Sequence, residues 1–80
     1  MALPVTLRVG KEPPTVVHGS TVDFSHRGMR IRANHPFEPN QNLEVQFGHN
    51  GNHPKNYTVV WVRDPARGKP IYETGLAVQD

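Results

Sequence analysis

The chain has 80 residues, a formal net charge of +2 with histidine neutral, eight prolines, seven glycines and no cysteine. That excludes disulfides and thiolate metal sites, and a balance so mildly basic does not by itself imply nucleic acid. No apolar run approaches the ~20 residues of a membrane span.

A chain this short is expected to form one small domain over residues 1–80 and to bury about 60–65% of its unfolded surface. Its start, Met1-Ala2-Leu3-Pro4, lacks the basic and then apolar pattern of a secretion signal. A cysteine-free chain suits a reducing cytosol, so a cytoplasmic location is expected. Proline and glycine fall between the apolar stretches, which reads as turns in an all-β chain.

Leu3, Val5, Leu7 and Val9 alternate with Thr6 and Arg8, predicting a first strand with the apolar set inward. Residues 10–14 form a turn. Residues 15–22 read as a second strand of imperfect alternation, with Gly19 as the candidate bulge. The strand runs on into Asp23-Phe24-Ser25. Side chains alternate with period two, so Asp23 and Ser25 are expected outside, with Val22 and Phe24 in the core. Gly28 is expected to permit a turn that a Cβ would resist. Met29, Ile31 and Ala33 face inward in a third strand, with Arg30 and Arg32 outside. Residues 34–42, with two prolines, read as a loop. Leu43, Val45 and Phe47 mark a fourth strand, and residues 48–54 an exposed loop tip. Residues 57–62, containing Val59, Val60 and Trp61, have the strongest β propensity. A turn over 64–70 leads to a sixth strand at 71–78.

Proline and glycine break every window long enough for a helix. Six short strands with short connections predict a six-stranded antiparallel barrel, since closure removes exposed edges. An open two-sheet sandwich is the alternative.

Asp23, Ser25, His26, Arg27, Gly28 and Arg30 therefore form the candidate ligand-binding patch, with Arg32 nearby. It offers hydrogen-bonding groups beside positive charge. The plainer reading of Asp23 and Ser25 is an Asx or Ser turn ending a strand. His49 and His53 lie in a Gly/Asn/Pro loop with no carboxylate close in sequence, so no metal site is expected. No nucleophile motif or phosphate-cradling loop stands out, so the chain does not read as an enzyme.

The order of these elements resembles the PilZ domain family. Asp23-Phe24-Ser25-His26-Arg27-Gly28 is similar to that family's [D/N]-x-S-x-x-G motif, residues 58–62 to its Val-Val-Trp strand, and Gly75-Leu76-Ala77-Val78 to its closing Gly-Leu strand. The resemblance covers roughly residues 4–79. It implies a six-stranded antiparallel PilZ-like β-barrel that binds the bacterial second messenger cyclic di-GMP and relays it to a protein partner, with no separate cofactor. Asp23 and Ser25 would hydrogen-bond a guanine, and Gly28 would keep the approach open. The family's Arg-x-x-x-Arg arm, expected just upstream of the first strand, is not in this sequence, nor is its usual C-terminal helix. Arg63 and Arg67 match that spacing in the wrong place, between strands five and six. Loss of two arginines predicts a deficit of roughly three orders of magnitude in affinity, hence weak or no binding. Arg27, Arg30 and Arg32 would recover part of this if they faced the same surface. The alternative is a divergent PilZ-like adaptor acting through protein–protein contact. A nucleic-acid-binding barrel ranks last, since it wants several exposed aromatics on one face, whereas Phe24 and Phe47 are expected inside.

Overall fold

The computed structural model describes residues 2–10, 13–48, 54–65 and 68–79. Six strands form: β1 (Pro4–Val9), β2 (Thr15–Ser25), β3 (Gly28–Ala33), β4 (Asn42–Phe47), β5 (Lys55–Arg63) and β6 (Tyr72–Val78). Every pairing is antiparallel, and the sheet closes on itself in the order β1-β2-β3-β6-β5-β4. The barrel therefore replaces the open-sandwich alternative. No helix among the described residues is long and apolar enough to cross a membrane. The predicted loop tip at 48–54, with His49 and His53, lies mostly outside the described residues. So do Lys11 and Glu12 of the first turn and Ala66 and Arg67 of the last.

Alternation decides the core. Val5 and Leu7 of β1, Met29, Ile31 and Ala33 of β3, Leu43 and Val45 of β4, Tyr57 and Val59 of β5, and Leu76 of β6 all turn inward and are buried. Burial raises the Tyr57 phenol above its ordinary value. On the outside, charges meet across strands, as where Arg8 on β1 donates to Glu44 on β4 at 3.1 Å.

The segment between β3 and β4 does more than connect. It buries Phe37, whose ring meets that of His35 in a tilted contact with centroids 4.6 Å apart. It is pinned to β5 by Asn40 N–H donating to the Val59 carbonyl and Val59 N–H donating to the Gln41 carbonyl.

Two β-bulges shape the wall that carries the candidate patch. The first lies in β2 between Thr21 and Asp23, and the second in β5 between Val59 and Trp61. Gly19, expected to mark a bulge, instead sits in regular register opposite Ala33. A Cβ on Gly19 would come within 2.7 Å of the Arg32 carbonyl oxygen, so close strand approach explains the glycine. The β2 bulge re-phases the strand. Thr21 is buried and half-buried Val22 is the extra residue, so Asp23 emerges on the outer face opposite Arg30. The Thr21 hydroxyl accepts a hydrogen bond from Leu3 N–H, so its burial leaves no unmet oxygen.

Phe24 departs from the expectation of burial. It is paired in register with buried Met29 but is 57% exposed. It lies one residue from the end of β2, past the closed part of the barrel. There it packs against the Phe47 ring, 5.9 Å away, rather than into the core.

Candidate functional site

The His26–Arg27 turn joins β2 to β3, with Ser25 opposite Gly28. Arg27 N–H donates to Ser25 Oγ at 3.2 Å, a local Ser turn that fixes the hairpin. The plainer reading of Ser25 thus describes one of its contacts, while the residue remains exposed.

Gly28 is needed for a reason other than the one its position suggests. Its backbone is not in the left-handed region. A Cβ there would collide with the Leu76 carbonyl oxygen of neighbouring β6. The glycine is demanded by strand approach, not by turn conformation. The Arg27 carbonyl accepts from Val78 N–H, extending the β3–β6 contact to the hairpin tip.

Outside the barrel, Asp23, Arg30, Gly75 and Trp61 line up on β2, β3, β6 and β5. The Trp61 indole rests directly on Gly75, where any Cβ would overlap the ring. Arg30 grips the Asp23 carboxylate with Nε at 3.1 Å from each oxygen and Nη2 at 2.5 Å from Oδ2. Those hydrogen bonds hold the Asp23 carboxyl below its ordinary value, outweighing the opposing effect of desolvation, and charge attraction to Arg30 adds to them. Arg30 is correspondingly held above its own. Arg30 also reaches Glu73 at 3.4 Å.

These residues edge an open recess of about 530 Å³. Asp23, Ser25, Arg27 and Arg30 supply its polar rim. Trp61, Phe24 and Val60 supply apolar surface, with Val60 56% exposed as the extra residue of the β5 bulge. Five of the six residues predicted for the patch therefore line one hollow. The sixth, His26, sits exposed in the adjoining turn but does not line the recess. Arg32 faces outward next to the hollow rather than in it.

Sequence reasoning missed three things here. Phe24, expected inside, borders the recess together with Trp61. The Asp23–Arg30 clasp was hidden because cross-strand partners depend on the bulge. Arg63 joins this wall for a reason that spacing does not carry: its guanidinium lies 5.7 Å from the Trp61 ring.

Chemically, the recess offers a carboxylate acceptor, a hydroxyl, guanidinium donors and a flat indole. That set suits a planar heterocycle carrying hydrogen-bond donors and negative charge. Neither the curated proteins nor the solved structures provide a significant match to this chain. The family model of the PilZ domain matches residues 1–80, the whole chain. The all-strand closed barrel of six antiparallel strands agrees with that match. The chain belongs to the PilZ domain family, whose members generally serve as cyclic di-GMP-binding modules.

Proposed function

We propose that this barrel is a signalling module that binds cyclic di-GMP weakly on the β2–β3–β6–β5 wall. The observation that carries the reading is the placement of Asp23 and Ser25, side by side and exposed at the edge of the Trp61 recess. In this reading the Asp23 carboxylate accepts the ring and exocyclic N–H groups of a guanine. The Ser25 hydroxyl adds a second contact, and Trp61 offers a face for stacking. Arg27 and Arg30 supply positive charge for the phosphates.

The clasp between Arg30 and Asp23 sets the affinity. A guanine reaching for Asp23 must first exchange with the guanidinium. Only the difference between the two sets of hydrogen bonds then favours binding. The released Arg30 stays held near Glu73 and can turn to a phosphate.

A second reading, an adaptor that binds protein and no nucleotide, is favoured by a specific observation. Both motif side chains already have partners within the chain, Arg30 for Asp23 and the Arg27 N–H for Ser25. Calorimetric titration with cyclic di-GMP separates the two. Binding that disappears in Asp23→Ala and drops in Ser25→Ala supports the sensor. Binding unchanged in both variants places the site elsewhere, and no binding by the wild type favours the adaptor.

A further inference from the structure

Beside the recess, on the same outer wall, lies a second hollow of about 360 Å³ edged by Arg32, Arg63, Lys69, Asp64 and Glu73. Arg32, Glu73 and Arg63 stand directly opposite one another on β3, β6 and β5. Arg30 lies two residues before Arg32 on the same face. Glu73 therefore sits among three guanidiniums: Arg30 at 3.4 Å, Arg32 at 3.8 Å and Arg63 at 3.8 Å. Its side chain is only 16% exposed, whereas those of Arg32 and Arg63 are 58% and 71% exposed.

One carboxylate cannot satisfy three arginines. The two 3.8 Å contacts lie beyond hydrogen-bond range, so they orient Arg32 and Arg63 electrostatically without occupying their N–H groups. Trp61 supports Arg63 from its face, a cation–π contact that restricts where the guanidinium can go. Arg32, Arg63 and Lys69 bring three positive charges and Glu73 and Asp64 two negative ones, leaving one positive charge in excess. That excess matches the single negative charge of a phosphodiester.

We propose that Arg32 and Arg63, held apart and aimed by Glu73, form a phosphate subsite joined to the Asp23 recess through Arg30. It rests on the cyclic di-GMP reading for its natural ligand. With a base in the recess, a backbone phosphate falls toward the Arg30 end of the cluster, and Arg32 and Arg63 close on it with their free donors. Glu73 is a positioning residue, since it holds the guanidiniums without taking them out of service. Arg63 thus contributes through its cross-strand neighbours, independent of any spacing to Arg67.

The test follows the Nε–Hε signals of Arg32 and Arg63 by NMR during titration with inorganic phosphate, guanosine and cyclic di-GMP. Arg32→Gln, Arg63→Gln and Arg63→Lys are run in parallel, with folding checked by thermal melts. The expected result is a shift of both arginine signals with cyclic di-GMP and, more weakly, with inorganic phosphate, but not with guanosine. Each Gln variant should lose about tenfold to a hundredfold in cyclic di-GMP affinity. Arg63→Lys should lose less than Arg63→Gln, because it keeps the charge but not the fork. Phosphate shifting both signals while cyclic di-GMP fails to bind would uphold the subsite and sink the nucleotide reading. Cyclic di-GMP binding at Asp23 with both arginines unmoved, and Arg63→Gln at wild-type affinity, would overturn the subsite and leave that reading standing. Failure of both ligands would overturn both.

Discussion

Gly28→Ala is the sharpest test of how the candidate motif is built. The new methyl would overlap the Leu76 carbonyl oxygen, a backbone atom that no rotamer change can move aside. β3 and β6 must separate locally by roughly 1 Å, since a carbon and an oxygen prefer at least about 3.3 Å. Forcing a methyl into such a contact costs about 1–3 kcal/mol. Stretching the ladder around Gly28 and Ala77 adds about 1 kcal/mol for a weakened hydrogen bond. The smaller entropy of an unfolded chain carrying Ala returns about 0.4–1 kcal/mol. The net expectation is a loss of about 2–3 kcal/mol. An 80-residue chain has a total stability of about 4–12 kcal/mol, so the midpoint should fall by about 10–20 °C.

The control is Gly48→Ala. Gly48 has a φ of 63° and open space around its missing Cβ, so only backbone strain of about 1–2 kcal/mol is at stake. Urea denaturation followed by the fluorescence of Trp61, the only tryptophan, reads both variants on one scale. If Gly28→Ala costs no more than Gly48→Ala, the close approach to β6 is not what requires glycine in the motif.

Four further outcomes are expected. Phe37→Ala should cost about 3–5 kcal/mol, because the ring is 3% exposed. Phe24→Ala should cost about 1 kcal/mol or less, the worth of its contact with Phe47; equal losses in denaturation curves would contradict the exposed placement of Phe24. The Thr74 hydroxyl is buried with no hydrogen-bond partner among the described residues. Thr74→Val should therefore match or exceed wild-type stability by up to about 1 kcal/mol, and a clear loss would reveal an acceptor or donor for it. Finally, Asp23 should titrate below the ordinary carboxylate value of about 3.9 in a carbon-detected NMR titration. Its folded-state value is depressed, so the Arg30 pairing contributes above the unfolded value and is lost as pH falls through the folded one. Arg30→Gln should return Asp23 to the ordinary range, and an ordinary midpoint in the wild type would refute the clasp.

Much of this architecture was legible in the residue order. Alternation in β1, β3 and β4 needs no knowledge of neighbours, because burial of one face repeats every second residue. The proline- and glycine-rich joints made helices implausible and kept the strands short. The run from Asp23 to Gly28, together with the Trp61 and Gly75 strands, carries the resemblance to the PilZ family.

The contents of the wall were less legible. Residues 15–25 carry an irregular pattern, and whether the irregularity falls at Gly19 or at Val22 depends on which β3 residues pair with them. Phe24 has an inward register but lies too near the strand end to be covered. Phe37 looked like part of a loop, since a connection that caps a barrel carries no periodic signature.

Local composition and period two determined that this chain rolls up β-strands with Val5, Leu7, Met29, Ile31, Leu43 and Val45 inside, whereas the β2 bulge turned Asp23 to the outer face. Only the closed sheet decided that Arg30 clasps Asp23, that Glu73 gathers three arginines and that Trp61 lies over Gly75. Those contacts join strands far apart in sequence, and two bulges set their phase; no stretch of chain read on its own contains that information.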